Sequence, residues 1–175
     1  MDTSSIIAII LFPLLSLILG SLGAIITSKQ IPIWYVHLKK PKFNPPNWLF
    51  GPVWTVLYIL IGFSGWFIWD LNKGFSVDHV AAWFFYFFGF LLNILWTPLF
   101  FGLHWLLVAF IEIIVLDVCI FMNIILFWQI KVVAGAILIP YFLWVTFASY
   151  LSGSNWYLNR NGDREVIKDY IKSSS

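Results

Sequence analysis

Six residues able to do chemistry stand inside runs otherwise made of hydrocarbon side chains: Trp54, Asn93, Trp96, Glu112, Asp117 and Trp144. An indole offers a flat apolar face and one N–H donor. Polar and ionisable groups placed in hydrocarbon are costly and generally face a cavity or a partner. Tyr58 follows Trp54, and Ala148 follows Trp144, each at i+4 and so on a shared helix face. An alanine beside an indole leaves room against the ring. This set is a candidate ligand pocket, with aromatic filling of a bundle core as the alternative reading. No CxxC, HExxH, P-loop or Ser-His-Asp arrangement is visible to suggest other chemistry.

The elements that position these residues follow from composition. The chain has 175 residues, 61% hydrophobic and 10% charged, with a mean hydropathy of +0.90. Soluble domains carry about 25% charged residues, so this chain is read as an all-α integral membrane protein, a five-transmembrane-helix bundle. Runs long enough to span at 1.5 Å per residue cover about 6–26, 48–69, 80–101, 105–128 and 132–151. They lack the alternating polar residues of a β-barrel. The two short turns near 102–104 and 129–131 make helices three, four and five an up-down unit. Residues 1–158 form one membrane domain, with the loop 27–47 as a lid and 159–175 as a polar tail. MDTSS has no cation before Ile6, so the first run is read as a helix that stays rather than a cleaved signal. Cys119 has no cysteine to pair with, and a net charge of +2 without a basic stripe excludes nucleic acid as a partner.

Lys29, Lys39, Lys40, Lys42, Arg160, Arg164, Lys168 and Lys172 fall on one face, and Lys73 and Lys131 on the other. The positive-inside rule then makes the first loop and the C-terminus cytoplasmic. Counted inward from that face, Trp54 lies roughly 9 Å deep, Asn93 roughly 12 Å, Trp96 roughly 8 Å, and Glu112 and Trp144 roughly 10 Å. Four helices thus bring an indole, an amide or a carboxyl to one shallow layer beneath the long loop. Asp117 is five residues beyond Glu112, about 140° around the helix, and is expected to play a structural role, protonated or bonded to a neighbouring helix. Trp34, Trp48, Trp69, Trp83, Trp105, Trp128 and Trp156 fall near span ends, where interfacial anchoring explains them.

The run 34–58, WYVHLKKPKFNPPNWLFGPVWTVLY, joins a cationic, proline-stiffened loop to the helix bearing Trp54. With LNILWTPLFFG at 92–102 and PYFLW at 140–144, continued by Ala148, Tyr150 and Leu151, it resembles the tryptophan-rich sensory protein/translocator protein family, also called the peripheral-type benzodiazepine receptor family. The resemblance covers about residues 6–158. It implies a five-helix bundle, commonly a homodimer, that binds porphyrins and other tetrapyrroles, sterols and synthetic benzodiazepine-type or isoquinoline ligands beneath the first loop. By motif match Trp54, Asn93, Trp144 and Ala148 take pocket positions, and Tyr35 and Pro45 take loop positions over the pocket. Glu112 stands where many members carry Asp. Phe43 stands where most carry Trp before the double proline.

The leading expectation is therefore a membrane receptor or carrier with Tyr35, Pro45, Trp54, Tyr58, Asn93, Trp96, Glu112, Trp144 and Ala148 at its site. It requires no cofactor and has porphyrin or haem as a possible ligand. A haem iron could recruit His37 or His104 as an axial ligand, although single loop histidines are more often solvated. Lys39, Lys40 and Lys42 could meet ligand propionates or anionic lipid. Two other classes stay open: an enzyme in which Trp54 and Trp144 exchange electrons with a photoexcited or oxidised porphyrin, and a structural or regulatory assembly partner. Leu151, Tyr157 and Arg160 fit a loose sterol pattern. Ser16, Gly20 and Ala24 make a small-residue face suited to packing within or between subunits. Pro13, Pro98 and Pro140 are expected to kink or end helices.

Overall fold

The computed structural model describes residues 2–160; the remaining polar tail, including Arg164, Lys168 and Lys172, lies outside the described residues. The described chain is helical with no strand, and five segments are long and apolar enough to cross a membrane. The first comprises α1 (Thr3–Ser21) and α2 (Ala24–Ile33). The second is α3 (Phe50–Asn72), the third α4 (Val80–Thr97), the fourth α5 (Leu106–Ile130), and the fifth α6 (Val132–Ala136) followed by α7 (Ile139–Leu158).

Local chemistry sets the ends of these helices. Asp2 caps α1, its carboxylate accepting the Ser5 N–H at 2.9 Å. Helix α3 stops at Lys73, which adopts the left-handed conformation with φ 52°. Helix α4 ends at Thr97, immediately before Pro98, and one wide π-turn, Pro98–Gly102, leads to α5. Pro140 sits in the first turn of α7, where its missing N–H costs nothing. Pro13 is carried inside α1, which runs on past it.

The spans close into a ring. Helix α1 packs on α3, α3 on α6 and α7, α7 on α5, α5 on α4, and α4 returns to α1. The fourth span therefore lies between the third and the fifth, as their short turns require. Leu57, Ile61 and Ile68 of α3, Tyr86 of α4, Ile113, Leu116 and Ile120 of α5, and Val145 of α7 fill the centre. The first span is the most lipid-facing, with Ile7, Ile10, Leu14 and Ile18 exposed along one side.

Three boundaries differ from the sequence expectation. The first helical segment runs on to Ile33 rather than ending near 26, so the lid contracts to 34–46. The fifth continues past 151 to Leu158, two turns beyond the point where hydropathy fades, because the loop folds over that end and shelters it. Asn159, assigned to the tail, is completely buried. Two tryptophans expected at the interface are instead core residues. Trp34 stacks on His104 at 4.0 Å and meets the edges of Phe100 and Phe101, while Trp83 is enclosed by Phe75, Tyr86, Phe87 and Phe127. Aromatic neighbours outside each tryptophan's own span supply much of the burial, which position in the sequence does not reveal.

Candidate ligand cavity

The loop is held over the bundle by its own core. Trp34, Tyr35 and Leu38 pack on Phe100, Phe101, Leu106 and Ala109 at the α4–α5 junction. The Tyr35 hydroxyl donates to Asn44 Oδ1 at 3.1 Å, closing the loop on itself. The Lys40 ammonium donates to the carbonyls of Val36 and Leu38 and lies 4.6 Å from the centre of the Tyr35 ring. Burial lowers the Lys40 pKa and raises that of the Tyr35 phenol. At the far edge, the Asn159 carboxamide accepts from the Lys39 N–H at 3.1 Å and donates to the Lys39 carbonyl at 3.0 Å.

Beneath this lid is a cavity of about 250 Å³. Its walls come from all five spans. Gly20, Gly23, Ala24 and Thr27 line it where α1 passes into α2. Phe50, Trp54 and Tyr58 come from α3, Asn93, Trp96 and Thr97 from α4, Ile113 and Leu116 from α5, and Ala148, Leu151, Ser152 and Asn155 from α7. Tyr35 and Asn47 border it from the loop side. Gly20 and Gly23 permit the close approach of the first span. A Cβ on Gly20 would collide with the Tyr58 ring, and one on Gly23 would stand 2.8 Å from the Thr97 side chain. The small-residue face of helix one is thus used within the chain at Gly20.

A polar chain crosses the apolar lining. The Tyr58 hydroxyl donates to Asn93 Oδ1 at 3.1 Å, and Asn93 Nδ2 donates to the Tyr141 hydroxyl at 3.1 Å. Trp54 stacks on Tyr58 with ring centres 5.5 Å apart and meets the edge of Tyr141. Trp96 stacks on Phe100 at 4.7 Å, its buried Nε1 without a hydrogen-bond partner among the described residues. Fixed aromatic faces beside fixed amide and hydroxyl groups can hold a flat ligand by its faces and orient it by its edge.

The structure brings Tyr35, Trp54, Tyr58, Asn93, Trp96 and Ala148 to one cavity. Pro45, Glu112 and Trp144 are not among its lining residues. Trp144 meets the edge of Phe50 at 5.8 Å and packs on Phe147. Both Glu112 oxygens are buried without a hydrogen-bond partner among the described residues. Asp117 accepts the Thr146 hydroxyl of α7 at 3.0 Å, a bond between neighbouring helices. His104 pairs with Gln30 at 3.3 Å beneath Trp34, and neither it nor His37 borders the cavity. Leu151 turns into the cavity while Tyr157 faces outward under Arg160, so the sterol-pattern residues do not converge. Asn47, Phe50, Ser152 and Asn155 are lining residues that the sequence reading does not select. The spacing of Ser152, Asn155 and Asn159 is a signal for the last two turns of α7, masked because hydropathy ends the fifth span at 151.

The TspO/MBR family model matches residues 10–158. The chain belongs to the TspO/MBR family. Among TspO/MBR relatives, the tryptophan-rich protein TspO of Archaeoglobus fulgidus is 40% identical over 82% of this chain and 91% of its own length. Protein CrtK of Rhodobacter capsulatus is 37% identical over 80% of this chain and 85% of its own. The translocator protein of Bos taurus is 32% identical, covering 85% and 88%. Membership and the five apolar spans make this an integral, multi-pass membrane protein.

Proposed function

We propose that the chain is a membrane receptor or carrier that takes flat, largely apolar ligands into the cavity beneath the 34–46 loop, porphyrin-type tetrapyrroles first, with sterols and benzodiazepine-type molecules as further candidates. The observation that carries this reading is the junction of Trp54, Tyr58 and Asn93 at one cavity wall, stacked and hydrogen-bonded in place. Pre-positioned rings and polar groups reduce the ordering cost of binding. A volume of about 250 Å³ suits a ligand of two to four fused rings with the loop closed. A complete tetrapyrrole is larger, so its entry requires the loop to lift from Phe100 and Phe101. Lys39 and Lys42 are exposed on that loop and would meet the propionates of such a ligand or anionic lipid. In the membrane, a second copy of the chain completes a homodimer.

The test is tryptophan-fluorescence quenching by a porphyrin series in nanodiscs, for wild type, Trp54→Ala and Ala148→Phe. The reading expects saturable quenching in wild type and at least tenfold weaker affinity when a phenyl ring at position 148 fills the cavity. Quenching that never saturates, or affinity untouched by Ala148→Phe, defeats it.

A further inference from the structure

We propose that Ser152 and Asn155 form a hydrogen-bonding subsite on the α7 wall that takes a single hydroxyl group of an otherwise apolar fused-ring ligand. This rests on the cavity being a ligand site. Both residues line it, and both are almost wholly enclosed by protein, at 1% and 2% exposure. Ser152 Oγ and Asn155 Oδ1 have no hydrogen-bond partner among the described residues. The Asn155 side chain also bears on the Tyr35 phenol and favours its ionised form, as an amide N–H does, which leaves the oxygen for the cavity. Buried polar groups left unpaired cost free energy, so two of them on residues lining one cavity mark a place where a ligand supplies the missing bonds.

Other hydroxyls on these helices show that the default is different. Ser16, Thr27 and Thr55 each donate to the carbonyl four residues back, at 2.9–3.1 Å. Ser152 does not. The residues are three apart on one helix face, close enough for a single ligand atom to reach both. The chemistry also selects the group. A serine hydroxyl can donate, whereas Asn155 Oδ1 can only accept. A ligand hydroxyl accepts from the first and donates to the second, satisfying both at once. A carboxylate has no proton to give and leaves Asn155 Oδ1 unpaired. Trp54 and Phe50 line the same cavity from α3, which gives the ligand's rings their place.

Pyrene and 1-hydroxypyrene differ by this one group. Energy transfer from tryptophan to each probe, in nanodiscs of the full chain, measures the preference. Two added neutral hydrogen bonds predict wild type to favour 1-hydroxypyrene roughly thirtyfold. Ser152→Ala, which removes a single oxygen, and Asn155→Leu should each bring the ratio towards one, with pyrene affinity retained as the sign of an intact cavity. A preference unchanged in both variants, or equal loss of both probes in Ser152→Ala, overturns the subsite. If neither probe binds wild type saturably, the receptor reading falls, and the subsite with it.

Discussion

The carboxamide of Asn159 pairs with both backbone groups of Lys39, 120 residues earlier, accepting its N–H at 3.1 Å and donating to its carbonyl at 3.0 Å. It is the geometry of a strand bridge, made here by one side chain and the backbone of one residue. The same Nδ2 also donates to the Asn155 carbonyl at 2.7 Å, tying the clamp to the last turn of α7. The lid is thereby fastened to the helix that supplies Ser152 and Asn155 to the cavity.

Asn159→Ala removes this clamp and leaves the Lys39 N–H and carbonyl to find other partners. The local cost is about 1–3 kcal/mol. Amide exchange of residues 38–40 should quicken roughly tenfold or more, while the centres of α3 and α5 exchange as before. Asn159→Asp keeps the acceptor and loses the donor, so its effect should be intermediate. Unchanged exchange in the loop would show that the Trp34 cluster alone fixes the lid.

Tyr58→Phe tests the polar chain across the cavity. It deletes the donor to Asn93 Oδ1 and leaves the bond from Asn93 Nδ2 to Tyr141 intact. A destabilisation of about 1–3 kcal/mol is expected, read as a lower midpoint of thermal unfolding in detergent. Asn93→Ala, which orphans the Tyr58 and Tyr141 hydroxyls together, should be the more damaging of the two. The reverse order would mean that the amide is not the organising group.

Hydropathy made the number and approximate place of the five spans legible, because a membrane helix must be apolar over a fixed length. Depth along those spans brought out Trp54, Asn93 and Trp96. It also brought out Trp144 and Glu112, which reach the same layer on other faces. Depth is one coordinate; azimuth around the helix comes from packing, and from sequence only the i+4 partners Tyr58 and Ala148 supplied it. The end of the fifth span was hidden for a related reason. Ser152, Asn155 and Asn159 lower the hydropathy there, yet the loop covers them, so the helix continues where a lipid-facing one would stop. Trp34 illustrates the limit most plainly: it sits at a span end as a belt residue does, and only the fold places Phe100, Phe101 and His104 around it.

The crossing of α1 and α3 depends on a glycine. A Cβ on Gly62 would collide with Pro13 Cα and lie 2.5 Å from Pro13 N, both backbone atoms that cannot swing aside. Gly62→Ala should therefore push the first span outward and destabilise the bundle by about 1–3 kcal/mol or more. Gly89, also buried in a helix, provides the contrast. Its added Cβ would meet Cys119 Cβ at 3.5 Å, an ordinary contact, so Gly89→Ala should be near neutral. Equal tolerance of both substitutions in thermal unfolding would show that α1 can shift without penalty.

Acid should loosen the N-terminal end of α1 first. Asp2 caps that helix and lies 3.9 Å from the Lys73 ammonium, which in turn bonds Asp70 at 2.8 Å and Ser5 at 2.7 Å. The Ser5 side chain and N–H, then the Ser4 hydroxyl, bear on the Asp2 carboxylate and hold its pKa down at about 2. An aspartate in an unfolded segment titrates near about 3.9. Because the folded value is the lower one, the cap's contribution is complete above the unfolded value and is lost as pH falls through it towards about 2. The protection factor of the Ser5 amide, corrected for intrinsic exchange, should be level from neutral pH to about 4 and then decline. Asp2→Asn retains the capping oxygen without the charge, so its protection should be independent of pH over that range. A decline of the same size in the Asp2→Asn variant would assign the effect to another acid at this face, with Asp70, in direct contact with Lys73 and Ser5, as the group to replace next.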